Sequence, residues 1–287
     1  MGSCQGCDYE RNTIAGLCQV KSASDGLPAM CIGAWAEDKH FYLDKYCHMF
    51  AVGTSKKWPK RYYIDLFSGP GRAINRETEQ ESDGSPLIAL SHPFTDFIFV
   101  EANPESFEAL KVRTEPLLAG RQATYILGDA NDVLSDIVKS VQQQGSLSLV
   151  FADPFTIQLK MRTIKWFAEH FRADLLLHFP YGTYLQRVLP QSQTELSEKS
   201  LVALDEFFGS TDWRGLRTHK PNPRKYLDLY ESKLHELGYK TGNNYPSMKN
   251  SRNATLYYLV LASRNQLALD FWKKVNEIGP DGQRTLF

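Results

Sequence analysis

Two things that the sequence lacks narrow its class before any motif is considered. It has no run of about eighteen or more apolar residues, so no membrane-spanning helix and no membrane partner are predicted. It has no excess of charge either, because Lys+Arg and Asp+Glu number 33 each. That balance argues against a protein that binds nucleic acid mainly through a basic surface. Since the first residues also lack the apolar core of a signal peptide and cysteines number only 5, we expect a cytoplasmic protein.

A third absence concerns nucleotide-binding motifs. The strand-like run RYYIDLF is followed by a loop with Gly69 and Gly71, but Ile74 stands where a dinucleotide-binding fingerprint has its third glycine. This weakens a nicotinamide-binding interpretation. Two closely spaced glycines still let the backbone turn tightly and approach a ligand without a Cβ clash, although Gly-Pro-Gly is also common in plain turns.

From about residue 36 onward, helix-like and strand-like segments alternate. An amphipathic helix is predicted over AWAEDKHFYLDKYCHMFAVG, and five apolar strands follow, each separated from the next by a predicted helix. The predicted strands are RYYIDLF, DFIFVEA, ATYILGD, LSLVFADPF and ADLLLHFPYG. Near-continuous apolar strands that alternate with helices predict an α/β fold with a doubly wound (Rossmann-like) parallel sheet covered on both faces.

The last third of the chain follows a different pattern. A polar, loop-rich stretch at about 189–223 precedes a helix over RKYLDLYESKLHELGY, and then YKTGNNYP and ATLYYLVLAS are predicted strands with no helix between them. They should pair as an antiparallel hairpin, which is typical of the class I methyltransferase sheet. We therefore predict an irregular, cysteine-containing N-terminal arm over 1–35 and a methyltransferase-like domain over 36–287 with an insertion at about 189–223.

Four predicted strands end in an acidic residue, namely Asp65, Glu101, Asp129 and Asp153. Because ligands of open α/β sheets bind outside the carboxyl ends of the strands, these side chains should share one edge. Glu101 is placed to accept hydrogen bonds from ribose hydroxyls, and Asp129 from an adenine amino group. Asp65 would either reach the ligand through water or hold the loop amides. Taken singly, any of these acids is more often a helix cap than a ligand.

An acidic edge of this kind suits a nucleoside that carries a positive sulfonium, whereas a polyphosphate would be repelled. Together with the glycine loop it predicts a site for S-adenosylmethionine (SAM). The predicted cofactor-binding residues are Asp65, Phe67, Gly69, Gly71, Glu101 and Asp129.

The run Asp153-Pro154-Phe155 is a shortened form of the Asp/Asn-Pro-Pro-aromatic run of amine-methylating enzymes. In that run, a side-chain oxygen and a backbone carbonyl accept hydrogen bonds from the target amine, and the aromatic ring stacks on a base. His178, a candidate general base, and Tyr181, a candidate aromatic wall, follow the next strand. The alternative is that the aromatic rings cap the core and that the histidine is a satisfied core residue.

Four cysteines near the N-terminus suggest a metal site. Cys4, Cys7, Cys18 and Cys31 could complete a tetrahedral zinc site, with His40 as an alternative fourth ligand to Cys31. Only the first two form a CxxC pair, so the alternative is a loose arm with free thiols. The fifth cysteine lies on the apolar face of the first predicted helix and is expected in the core.

A possible nucleic-acid partner rests on basic residues interleaved with aromatic ones around 213–226. The alternative is an insertion whose charges are simply solvated. The residues concerned are Arg162, Lys165, Arg187, Arg214, Arg217, Lys220, Arg224 and Lys225, with Trp213 and Tyr226 among them.

Several stretches, taken in order over nearly the whole chain, resemble the three-Cys-motif partner protein (TcmP) family. They are DGLPAMCIGAWAEDKHFYLDKYCHMF, YYIDLFSGPGR, GSPLIAL, FIFVEANPESFEALK, GDAND, FADPF, LLLHFPYG and GPDGQRTLF. The resemblance implies a methyltransferase-like fold, a pocket built on the strand-end acids and glycines, and a separate companion protein that resembles radical-SAM enzymes. It implies no particular reaction. GSPLIAL would then supply the first crossover helix after a flexible insertion at about 75–83.

Three functional hypotheses follow. The first is a SAM-dependent methyltransferase that acts on an amine of a nucleic acid. The second is a non-catalytic partner subunit, favoured by the missing second proline after Asp153. The third is a nucleic-acid-binding nuclease or repair factor in which the acids hold Mg²⁺, for which the sequence offers no D…ExK pattern.

Overall fold

The computed structural model describes residues 12–14, 17–190, 196–242, 245–250 and 252–280. The strands are β1 (Asn12–Ile14), β2 (Leu17–Lys21), β3 (Pro28–Ile32), β4 (Lys60–Asp65), β5 (Arg72–Asn75), β6 (Glu81–Asp83), β7 (Asp96–Glu101), β8 (Gln122–Leu127), β9 (Ser146–Ala152), β10 (Ala173–Phe179), β11 (Lys240–Thr241), β12 (Ser247–Lys249) and β13 (Thr255–Ser263). The helices are α1 (Trp35–Gly53), α2 (Ser85–Leu90), α3 (Pro104–Thr114), α4 (Leu134–Ser140), α5 (Met161–His170), α6 (Gln186–Val188), α7 (Glu198–Phe208), α8 (Pro223–Glu236) and α9 (Gln266–Val275).

The central sheet has the order β8-β7-β4-β9-β10-β13-β11. Neighbouring strands from β8 to β10 are parallel, whereas β13 runs antiparallel to both β10 and β11. The short β12 also pairs with β13. This arrangement is the class I methyltransferase sheet, so the predicted fold class and terminal antiparallel hairpin are confirmed.

Each face of the central sheet is covered by helices. Along β4, Tyr62 and Ile64 pack into one apolar cluster while Tyr63, which points the other way, packs into the second. The first cluster takes apolar residues from α4, α5, α7 and α8, and the second takes them from α1, α2, α3 and α9. The doubly wound packing follows from strands that are apolar on both faces.

A second sheet occupies the region predicted to be irregular. Its order is β1-β2-β3-β5-β6, and β3 joins β5 in parallel with Met30 opposite Ala73. The prediction of an arm without strands is therefore wrong over 12–32, and the insertion at 75–83 is not a flexible loop but includes the hairpin strand β6. Strands of three to five residues give little periodicity, and the pairing of β3 with β5 is remote in sequence.

The stretch at 189–223 is also more ordered than predicted. It contains α7, which Ser197 caps by accepting a hydrogen bond from the Ser200 N–H, and which ends at Gly209 with a φ of 68°. Trp213 and Tyr226 are fully buried, so neither ring is available to stack on a base. The prediction that the aromatic rings of this region contribute to nucleic-acid binding is therefore wrong. Over the described residues, no helix combines the length and the apolar character that a membrane crossing requires.

Candidate functional site

A cavity of about 550 Å³ lies between the carboxyl edge of the central sheet and the second sheet. The loops after β4, β7, β8 and β9 form one wall, and β3, β5 and the first turns of α1 form the other. The switch point of an open α/β sheet is where a ligand site is expected. Predicted residues that line the cavity are Phe67, Gly69, Gly71, Glu101, Asp129, Asp153, Pro154, Phe155 and His178.

The glycine loop after β4 has the backbone shape that the sequence suggested. Gly69 and Gly71 have φ values of 61° and 84°, which side chains with a Cβ rarely adopt. A Cβ on Gly69 would lie 2.8 Å from the Cε of Met30, which belongs to β3. The loop therefore favours glycine for its turn, whereas the close contact at Gly69 is with the flexible end of a side chain.

Asp65 is the one predicted strand-end acid that does not line the cavity. It is fully buried beneath the loop, where its carboxylate accepts hydrogen bonds from the Tyr63 hydroxyl at 3.1 Å and the Phe67 N–H at 3.2 Å. Burial raises its pKa to about 7, although hydrogen bonds from Ser85 and its other partners act in the opposite direction. Of its two predicted roles, holding the loop amides fits this position.

Glu101 joins the glycine loop to the next strand. One carboxylate oxygen accepts a hydrogen bond from the Gly69 N–H and the other from the Asn103 N–H, both at 2.7 Å. Burial raises the pKa of Glu101, and these amide donors limit the rise. Each carboxylate oxygen has a second lone pair, so this side chain can still accept from a ligand in the cavity.

The sequence left open whether Asp129 organises the start of a helix or faces a ligand site, and its position in the structure fits both roles. Its Oδ1 accepts hydrogen bonds from the backbone N–H and the side-chain amide of Asn131, at 2.7 and 2.8 Å. It therefore organises the turn that leads to α4, and it also lines the cavity. Asn103 likewise caps α3 as predicted, because its side chain accepts from the Ser106 N–H at 2.8 Å.

Asp153 forms an ion pair with Lys39, a residue of α1 that sequence reasoning missed. Burial raises the pKa of Asp153, but the charge of Lys39, with a contribution from His178 at the low pH where that ring is protonated, more than offsets this and holds the pKa below its usual value. Trp35 and Lys39 are four residues apart on α1 and both line the cavity. This four-residue spacing on α1 is the only feature of the local sequence that indicates the second wall of the cavity.

Two histidines stand beside this ion pair. Burial lowers the pKa of His178 to about 4, with Lys39 acting in the same direction and Asp153 opposing. Burial and Lys39 similarly lower the pKa of His40 to about 3. Both imidazoles are therefore neutral at pH 7. The ring of His178 packs at 4.4 Å, edge to face, against Tyr257 of β13.

Tyr181 does not form the predicted aromatic wall. Its ring is part of the apolar core, and its hydroxyl donates a hydrogen bond to the carbonyl of Pro221 at 2.8 Å. Phe155, in contrast, is 40% exposed and lines the cavity. The interpretation of both aromatics as core residues is therefore right for Tyr181 and wrong for Phe155.

The zinc prediction is not resolved. Cys31 lines the cavity, whereas Cys4, Cys7 and the side chain of Cys18 lie outside the described residues. Among the residues that the structure does describe, no three His, Cys, Asp or Glu side chains are grouped to hold a metal ion. The zinc site stays a prediction. Cys47 is fully buried in the core, as expected.

No protein-family model and no curated protein matches the chain. Similar solved structures include protein LPL1258 from Legionella pneumophila, at 12% identity and a TM-score of 0.48, over 84% of this chain and 91% of that one. They also include TYW2 from M. jannaschii in complex with AdoMet, at 11% identity and a TM-score of 0.41, over 85% and 84%. A third is Trm1 from Pyrococcus horikoshii with S-adenosyl-L-methionine, at 10% identity and a TM-score of 0.47, over 90% and 64%. Similarity at this level of identity and TM-score does not establish a function, so a functional assignment must rest on the residues of this chain. Membership of the TcmP family stays a prediction.

Proposed function

We propose that the chain binds SAM in the cavity and transfers its methyl group to an acceptor at the Asp153 end. The observation that carries this proposal is the meeting of Glu101, Asp129 and Asp153 on one cavity, after three strands of a methyltransferase sheet. Glu101 would bind the ribose hydroxyls and Asp129 the adenine amino group. The glycine loop gives the backbone close access to the ligand.

The carboxylates of Glu101 and Asp129 favour SAM over a dinucleotide. Glu101 and Asp129 line the cavity without forming an ion pair with any described residue. Unpaired carboxylates attract a sulfonium cation and repel a pyrophosphate. Phe67, in the same loop, adds apolar surface for the nucleoside.

The acceptor predicted from Asp153-Pro154-Phe155 is an amine of a nucleic acid. Such an amine would donate its hydrogen bonds to the side chain of Asp153 and a backbone carbonyl. The ion pair with Lys39 takes up part of that accepting capacity.

The same ion pair favours a second candidate, a non-catalytic subunit that binds SAM and a companion protein. In the TcmP family that the chain resembles, the companion would be a radical-SAM-like protein. An N-terminal zinc site would then serve the structure of the subunit, and elemental analysis of the purified protein tests it. A nuclease or repair factor has no support from a cluster of metal ligands over the described residues.

Calorimetric titration of SAM into the purified chain tests the first proposal. We expect a dissociation constant on the order of micromolar, and Glu101→Gln should weaken binding by about 10- to 100-fold because a charged hydrogen-bond acceptor is lost. The matched control is Glu105→Gln, an exposed residue on the first turn of α3. A wild-type chain that is folded but releases no heat with SAM contradicts the proposal. Thermal unfolding of Glu101→Gln separates lost binding from lost folding.

Labelled SAM distinguishes the two candidates. A methyltransferase should pass the label to DNA, RNA or protein, whereas a non-catalytic subunit should bind SAM and yield no labelled product.

A further inference from the structure

At the Asp153 end of the cavity, one ring nitrogen of a histidine has no hydrogen-bond partner among the described residues. His178 lines the cavity and is only 4% exposed. Its Nδ1 is buried and has no hydrogen-bond partner among the described residues. Buried polar atoms in folded proteins are nearly always satisfied, so an unsatisfied one in a cavity wall points to a ligand.

The protonation of His178 determines what that ligand must offer. A neutral imidazole has one N–H and one bare nitrogen. The backbone of Pro154 acts on the pKa of His178 as a hydrogen-bond partner, and since proline has no N–H, this partner can only be its carbonyl. Because Nδ1 has no partner among the described residues, it is the nitrogen that can carry the free lone pair. A ligand that binds this nitrogen must therefore carry a hydrogen-bond donor that can lose its proton.

The N–H donors of Lys39 favour an oxygen acceptor over a nitrogen acceptor. Because Lys39 is paired with Asp153, the two side chains together carry no net charge, and Lys39 acts on an acceptor through its remaining N–H groups. A hydroxyl becomes more negative as it loses its proton, and an N–H donor stabilises that charge, whereas an amine that is being methylated becomes more positive and gains nothing from such a donor. Lys39 has three N–H donors and gives one to Asp153, so donors remain for such an oxygen. Lys39 and Asp153 form an ion pair, and both line the cavity together with His178.

Other side chains of the cavity wall suit a nucleotide. The guanidinium of Arg76 stacks over Trp35 at 4.7 Å from the ring centroid, and it forms no ion pair with any described residue. An unpaired, aromatic-supported guanidinium is suited to a phosphate group. The ring of Phe155 is 40% exposed, which leaves it available to stack on a base. A phosphate, a base and a hydroxyl occur together in a ribonucleotide unit.

We propose that the methyl acceptor is a ribose hydroxyl of RNA, that His178 is its general base and that Lys39 stabilises the oxygen; this rests on the proposed SAM-dependent function. The ribose oxygen attacks the methyl carbon and forms a C–O bond, while the C–S bond breaks with its electron pair left on sulfur. The sulfonium becomes a neutral thioether. The hydroxyl proton passes to the bare nitrogen of His178 and from there to water.

Nitrogen-15 NMR of histidine-labelled protein tests the base without requiring turnover. At pH 7 we expect His178 to show one protonated and one bare ring nitrogen. In the presence of S-adenosylhomocysteine, a random-sequence RNA 20-mer should shift the bare-nitrogen signal toward lower frequency, and a DNA 20-mer should not. An imidazolium at pH 7, or no shift with RNA, overturns the proposal.

Transfer from tritium-labelled SAM to the same RNA and DNA pools is the second test. We expect label in RNA alone, recovered as ribose O-methyl products, and a loss of about 100-fold or more in His178→Gln. The control His235→Gln changes an exposed histidine of α8 and should leave transfer unchanged. Lys39→Met should reduce transfer, and Lys39→Arg, which keeps the charge, should retain more of it than Lys39→Met.

The outcomes separate this inference from the proposed function. Label in DNA, in N-methyl products, or undiminished in His178→Gln overturns the hydroxyl acceptor and leaves a SAM-dependent methyltransferase in place. Failure of SAM to bind in calorimetry overturns the proposed function itself.

Discussion

At the scale of single residues, the burial of Asp65 makes the stability of the chain depend on pH. Its pKa is raised from the ordinary 3.8 to about 7, so the folded chain holds this proton more tightly than the unfolded chain. The resulting stabilisation is complete below about pH 4 and is lost as the pH rises through 7. At ~1.4 kcal/mol for each pKa unit, its size is at most about 4 kcal/mol.

We expect Asp65→Asn to remove most of this pH dependence. Urea unfolding at pH 4, 5.5 and 7 should show that the unfolding free energy of wild type falls relative to that of the variant as the pH rises. Other groups still contribute to the slope of the variant: the raised pKa of Asp174, about 6, acts in the same direction as Asp65, and the lowered pKa values of His178 and His40 act in the opposite direction. Asp83→Asn, at an exposed position in β6, is the control and should parallel wild type. Identical slopes for Asp65→Asn and wild type would mean that Asp65 is ionised in the folded chain.

At the scale of elements, the predictions succeeded where strands are apolar on both faces. β4, β7, β9 and β10 are buried along most of their length and carry apolar residues on both faces, and a one-residue error in their bounds does not change what they bury. The second sheet was missed because its strands are short and its central pairing, β3 with β5, is not local. Helix α7 was missed although the sequence shows both its capping residue, Ser197, and the glycine that ends it, Gly209. The stretch around it is polar and was therefore predicted to be loop-rich.

The glycine loop after β4 gives a prediction at this scale. Gly69→Ala places a Cβ at a φ of 61° and 2.8 Å from the flexible end of Met30. The backbone conformation should cost about 1–2 kcal/mol of unfolding free energy, and the displaced loop should weaken SAM binding at least tenfold in calorimetry. Gly120→Ala is matched to it, because its φ is 84° but nothing lies within 4 Å of the added Cβ.

The control should lose a similar amount of stability and keep its affinity for SAM. Equal affinity in Gly69→Ala and wild type would show that the loop does not contact the ligand.

At the scale of the whole molecule, only one of the two walls of the cavity could be predicted from the sequence. The strand-end rule identified Glu101, Asp129 and Asp153, because parallel strands bring their carboxyl ends to one edge. The opposite wall comes from β3, β5 and α1, whose positions depend on packing between segments far apart in the chain. For that reason Lys39, Trp35 and Arg76 could not be assigned to the site from sequence, and Tyr181 was assigned to it wrongly.

One side chain, Arg113 of α3, fixes the second sheet to the glycine loop. Its Nε and Nη2 donate to both carboxylate oxygens of Asp25 at 2.8 and 2.7 Å, and its Nη1 donates to the carbonyls of Pro28 and Pro70, both at 2.6 Å. The guanidinium hydrogen bonds hold the pKa of Asp25 below its usual range, against the effect of burial. Arg113 is 8% exposed, so these contacts are largely shielded from water.

We therefore expect Arg113→Met to release the second sheet while the central sheet stays folded. Loss of one partner from a shielded pair should cost about 2–3 kcal/mol, somewhat below the range for a fully buried pair because Asp25 is partly exposed. Hydrogen exchange should accelerate at least tenfold in β3 and in the loop at 68–72 and remain unchanged in β9 and β10. Arg162→Met, which removes an exposed pair with Asp132, is the control and should cost less than about 1 kcal/mol. Uniform acceleration over both sheets would show that they unfold as one unit, and unchanged exchange in β3 would show that Arg113 does not hold it.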